Sequence, residues 1–301
     1  MNLALCCISL ALKERGHSFQ TMTYTRFASL PRAEAIKILS ERILNNFKVT
    51  NLTIQECYNQ GIKGYRLSSN LTPVINHPNL NIKLTELPNF QEIQNEINLI
   101  KHTICATKVR VSAHPSEYIS LTSDDSSVIS NSIRDLEQHG EIFDLLDLPK
   151  SHWSPLNIHC RQESENPIEV FQVFAKNFSR LSDSVKSRLV IEVNDNKDGV
   201  WHISNLIKYF YDLLGLPVTF DVLHNKFCND GSSEEQAFKA AYRTWNTVPL
   251  FHYSEGKNNT RNHADYATGI PNDYGLPVYW DCELKAKDWA IADILKKIKS
   301  R

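Results

Sequence analysis

Six apolar, strand-like runs in this chain each end on a residue that can ligate a metal ion. Val109–Ala113 precedes His114, Pro155–Ile158 precedes His159, and Leu189–Ile191 precedes Glu192. Pro217–Phe220 precedes Asp221, Val248–Phe251 precedes His252, and Val278–Cys282 precedes Glu283. Two more candidates follow closely: His224, three residues after Asp221, and His263 in the loop beyond His252. Taken singly, each histidine reads as a hydrogen-bonded core residue, Glu192 as an arginine-paired carboxylate and Asp221 as a helix N-cap. As a set they do not, because several carboxylates gathered at strand ends are costly to desolvate and need cations beside them. Mixed His, Asp and Glu ligation suits Zn²⁺, Mn²⁺ or Fe²⁺, and no thiolate pair suggests a structural zinc cage. Eight ligand candidates exceed the needs of one tetrahedral ion; with bridging carboxylates they fit two or three. Such a cluster acidifies a bound water and clamps the attacking and leaving oxygens of a phosphodiester, so the chemistry expected is phosphoryl hydrolysis.

Ligands so far apart in sequence meet only if the strand ends converge. Two further strands are expected at Asn2–Ile8 and Gly61–Leu67, making eight. Helical spacing of apolar residues fills the intervals at Pro31–Tyr58, Asn89–Ile104, Ser126–Leu146, Ile168–Leu181, Trp201–Leu214, Glu234–Thr244 and Lys287–Ile298. The seventh interval, Glu255–Asp273, has no helical pattern. Strands separated by helices pair in parallel and bring their C-terminal ends to one face. The expectation is α/β, a single (β/α)8 TIM barrel over residues 1–301. An open doubly wound sheet is the alternative, but no glycine-rich turn follows the first strand, and no nucleotide cofactor is expected.

The 301 residues are 42% hydrophobic and 22% charged, enough for one large core. A net charge of −1 means that any attraction to nucleic acid must come from a local basic patch or from bound cations. No apolar run approaches the ~20 residues of a membrane span. Met1–Leu12 lacks a basic leader and reads as a first strand. Seven cysteines without a CxxC pair fit free thiols in a reducing compartment, so a cytoplasmic location is expected.

The stretches Gln20–Phe27 (QTMTYTRF), Tyr65–Pro73 (YRLSSNLTP), His114–Tyr118 (HPSEY), Glu192–Asp195 (EVND), Asp221–His224 (DVLH) and Glu283–Asp288 (ELKAKD) together resemble the UV-damage endonuclease family, in the family's order. The ligands alone would equally fit endonuclease IV-type AP endonucleases and xylose-isomerase-like sugar isomerases or epimerases; a non-catalytic lesion-binding relative is a further alternative. The resemblance implies a barrel with two or three divalent ions, most commonly Mn²⁺, with Zn²⁺ or Mg²⁺ as alternatives. It implies a monomer that nicks double-stranded DNA on the 5′ side of cyclobutane pyrimidine dimers and (6-4) photoproducts. Carried over, the metal ligands are His114, His159, Glu192, Asp221, His224, His252, His263 and Glu283. Glu192, Glu283, Lys285 and Lys287 are the expected catalytic groups, the lysines suiting phosphate oxygens or transition-state charge. Glu117 and Tyr118 match a pair that wedges into the duplex, Leu5 and Ser9 a second probing pair, and Arg66 and Arg161 are candidate phosphate contacts. Asn194 and Asp195 are expected to orient ligands. The chain departs from the family at Glu117, where a glutamine is usual, at Leu5 and Ser9, where Tyr and Asn are frequent, and at Leu250, where a lysine helps to hold metal.

Overall fold

All eight expected runs form strands in the computed structural model, which describes residues 1–80, 82–116 and 118–300. They are β1 (Asn2–Cys6), β2 (Gly64–Leu67), β3 (Arg110–Ala113), β4 (Leu156–His159), β5 (Leu189–Glu192), β6 (Val218–Thr219), β7 (Leu250–Tyr253) and β8 (Tyr279–Cys282). Every pairing is parallel, in the order β6-β5-β4-β3-β2-β1-β8-β7. A parallel bridge between Asp221 and His252 joins the two ends. Across it the His252 N–H donates to the Phe220 carbonyl at 2.9 Å and the Val222 N–H to that of His252 at 3.2 Å. The sheet therefore closes as a barrel, the expected (β/α)8 architecture.

The helices ring it at Arg32–Asn59, Phe90–Thr107, Ser126–Leu145, Pro167–Phe178, Glu234–Tyr242 and Lys287–Lys299. The expected helix at Trp201–Leu214 is instead a short α-helix (Ile203–Leu206), a π turn (Ile207–Tyr211) and a last helical turn (Asp212–Leu214). Phe210, on the π turn, is fully buried and meets Phe174 and Trp201 edge-on. The seventh interval contains only a 3₁₀ turn at Lys257–Asn259, as its lack of periodicity foretold. Its loop is tied down by polar contacts: Glu255 accepts from the Thr268 and Gly269 N–H groups, and Lys297 donates to the Ala267 carbonyl.

Inward-facing residues fill the barrel in layers. At the N-terminal end Arg110 is almost fully buried and donates to the carbonyls of Trp153, His152 and Val248. Its guanidinium lies 4.5 Å from the Trp153 ring and 4.9 Å from that of Tyr279. Burial lowers its pKa to about 9, so it stays charged at neutral pH and closes the barrel floor. Small residues offset this bulk: a Cβ on Gly64 would stand 2.7 Å from the Ala4 Cβ. The opposite end is left for polar side chains.

Candidate metal centre

The eight ligand candidates all belong to overlapping groups whose ligand atoms lie within 4.8 Å of one another. His114, His159 and Glu192 form one; Glu192, Asp221 and His224 a second; Asp221, His252 and Glu283 a third; His224, His263 and Glu283 a fourth. They converge because β3 to β8 deliver six of them at a strand end or just beyond it, and β4 and β5 pair in the register His159 with Glu192. The turn after Asp221 adds His224, and the loop after β7 adds His263. A cavity of about 440 Å³ opens above them, lined by His114, His159, His224, His263 and Glu283 and rimmed by Arg161, Asn194 and Asp195.

Glu192 is fully buried at the centre. Its Oε2 lies 3.2 Å from His114 Nε2 and 3.4 Å from His159 Nε2, and its Oε1 lies 3.0 Å from His252 Nδ1 and 3.1 Å from His224 Nδ1. The His224 backbone N–H donates to Asp221 Oδ1 at 2.7 Å, a contact that the DxxH spacing permits. His263 is held by Glu283, whose backbone carbonyl is 2.6 Å from its Nδ1 and whose Oε2 is 3.8 Å from its Nε2.

Electrostatics set the protonation of this cluster. Burial would raise the Glu192 pKa, but the charges of His252 and His159 and hydrogen bonds from His114 and His224 hold it well below the usual carboxylate range. Burial would lower His252, yet Glu192 and Glu283 raise it to about 9. His159 goes the other way: desolvation takes it down to about 3 despite Glu192. Asp221 is pushed up by burial and by the charges of Glu192 and Glu283, against the pull of His224. Its Oδ2 is buried without a hydrogen-bond partner, as are Asp281 Oδ2 and His159 Nδ1. Glu192, Asp221, Asp281 and Glu283 are carboxylates at or near full burial, and Arg66 is the guanidinium among them. A surplus of buried negative charge with orphaned oxygens is what divalent cations compensate, so these donors fit metal ions.

Of the other expected site residues, Tyr118 projects from the loop after His114 with 82% of its surface exposed. Arg161 is exposed at the cavity rim. Lys285 is exposed and Lys287 half-buried just beyond Glu283; neither lines the cavity among the described residues. Glu117 lies outside the described residues.

Several expectations are corrected. Leu5 is fully buried in the core, because its strand position faces the surrounding helices. Ser9 caps the helix Leu10–Glu14 and donates to the buried Asp288 at 2.6 Å, so its hydroxyl is engaged inside the fold. Arg66 points into the barrel and pairs with Glu283 at 2.5 Å and Asp281 at 3.4 Å, which makes it a counter-ion of the cluster. Asn194 donates to the carbonyl of Cys160, next to His159, and Asp195 pairs with Arg261 at 3.7 Å, tying the loop after β5 to the loop after β7. Leu250, buried on β7 two residues before His252, supplies packing below the cluster.

Two polar residues in contact with the ligands escaped the sequence reading. Asn157 donates a hydrogen bond to Glu192 Oε2, and Asp281 faces Arg66 and His252. Each stands two residues before a ligand on its strand, so period-two alternation would have placed both in the barrel interior.

The UV-endonuclease UvdE family model matches residues 1–301. A UV DNA damage endonuclease of Nostoc sp. is 32% identical over 97% of this chain and 88% of its own length. One of Bacillus velezensis is 26% identical over 93% of this chain and 89% of its own. The crystal structure of SacUVDE superposes with a TM-score of 0.83 at 24% identity, covering 100% of this chain and 98% of that one.

Proposed function

Because the chain belongs to the UV-endonuclease UvdE family, and is thus a UV-damage repair endonuclease that acts on DNA, we propose that it depends on divalent metal ions and nicks duplex DNA immediately 5′ of UV photoproducts. Cyclobutane pyrimidine dimers and (6-4) photoproducts are the proposed lesions. The observation that carries the metal dependence is the overlap of four ligand groups on the shared carboxylates Glu192, Asp221 and Glu283. His114, His159, Glu192, Asp221, His224, His252, His263 and Glu283 would hold two or three ions, with Mn²⁺ the proposed metal. Bound there, the ions supply a water acidified to near neutrality and charge to balance the phosphodiester in its transition state.

The chain's own residues do the rest. Glu192 holds two pairs of imidazoles in place through its two oxygens. Arg66 fixes one oxygen of Glu283 and leaves the other directed at His263. Tyr118, exposed at the mouth, stacks on bases parted at the lesion, where each stacked base contributes ~1–3 kcal/mol. Arg161, Lys285 and Lys287 meet phosphates, and the protein works as a monomer.

The test is a duplex carrying one defined dimer, end-labelled on the damaged strand and incubated with the protein and Mn²⁺, Mg²⁺ or Zn²⁺ in parallel. A single product ending at the phosphodiester 5′ of the dimer is expected. Cutting at abasic sites while dimers are spared would favour AP endonuclease activity instead.

A further inference from the structure

Asn157 is buried on β4, two residues before His159, with its side chain turned into the barrel beneath the cluster. Its amide donates to Glu192 Oε2, and its Oδ1 has no hydrogen-bond partner. A carboxylate oxygen has two in-plane lone pairs, and here one is taken by the amide. The same oxygen faces His114 and His159 at 3.2 and 3.4 Å, while Oε1 faces His252 and His224 at 3.0 and 3.1 Å. Glu192 is thus spread between two ligand groups, one oxygen for each.

The terminal torsion of a glutamate is broad, so nothing intrinsic to the side chain holds this orientation. We infer that Asn157 is a positioning residue that keeps Glu192 spread across two cation positions, and so sets how many divalent ions the barrel holds. Without the amide the carboxylate turns both oxygens to one ion, and the position between His114 and His159 loses its anion. This inference rests on the proposed metal dependence.

The substitution Asn157→Leu keeps the branched outline of the side chain and removes the donor. Thr219→Val is the control: Thr219 is also buried, on β6 with β5 between it and β4, and its hydroxyl has no hydrogen-bond partner. Full-length proteins are stripped with EDTA and titrated with Mn²⁺, and bound ions are counted and followed by electron paramagnetic resonance. The unsubstituted chain should bind two or more ions with an exchange-coupled spectrum. Asn157→Leu should lose one ion, or bind it about 10- to 100-fold more weakly, and show the sextet of isolated Mn²⁺. Thr219→Val should match the unsubstituted chain. An unchanged count and spectrum in Asn157→Leu, or an equal loss in Thr219→Val, overturns the inference while metal dependence stands. An unsubstituted chain that binds no Mn²⁺ overturns both. If Asn157→Leu does not fold by circular dichroism, Asn157→Ala replaces it with the same outcomes.

Discussion

At Glu192 four imidazoles meet two carboxylate oxygens, and burial alone would neutralise the group. Its charge survives because the histidines stand close, and the same arrangement suits the bridging role proposed for it. Glu192→Gln is therefore expected to lower metal affinity and nicking about a hundredfold or more, with an unchanged circular dichroism spectrum. Retention of full activity would remove Glu192 from the centre. Tyr118→Ala should weaken binding to a damaged duplex by ~1–3 kcal/mol and leave the metal content alone; a parallel loss of metal would make Tyr118 a structural residue. The convergence of the ligand candidates was legible in sequence because nearly all follow an apolar run or a ligand-bearing turn. Arg66 and Ser9 were not, since their partners Glu283 and Asp288 lie 217 and 279 residues away. A residue's type does not tell which distant carboxylate it meets.

The elements matter through what they place side by side. Strand runs and helical repeats could be read from the periodicity of apolar residues, and the missing seventh helix from its absence. The π turn at Ile207–Tyr211 could not, because it goes with the tertiary packing of Phe210 against Phe171, Phe174 and Trp201. Close approach of β1 and β2 depends on Gly64, so Gly64→Ala should cost ~1–3 kcal/mol in urea unfolding by forcing the Ala4 side chain aside. Strands β4 and β7 make stability depend on pH in opposite directions. His252, raised to about 9, stabilises the metal-free fold below its unfolded value near 6.5 and loses that contribution as pH rises through 9. His159, depressed to about 3, favours the fold above 6.5 and penalises it as pH falls towards 3. Metal-free protein should thus melt highest near pH 6.5, with lower Tm at pH 5 and pH 9. A Tm that climbs steadily across that range would contradict these assignments.

For the whole molecule, a net charge of −1 gives no general attraction to DNA, and no helix among the described residues is long and apolar enough to cross a membrane. Binding to a duplex is expected at the barrel mouth, where Arg161 stands at the cavity rim and Lys285 and Lys287 follow Glu283 in the chain. Few phosphate contacts imply a shallow salt dependence, with a slope of log affinity against log salt of about −3 if three phosphates are neutralised. A slope several times steeper would point to a wider basic surface. The central claim, a metal centre directed at UV-damaged DNA, is tested most directly on supercoiled plasmid, irradiated or not, with EDTA-stripped protein before and after Mn²⁺ is restored. Relaxation of the irradiated plasmid alone, and only with Mn²⁺, is the predicted result. Equal nicking of both plasmids, or undiminished nicking without metal, would contradict it.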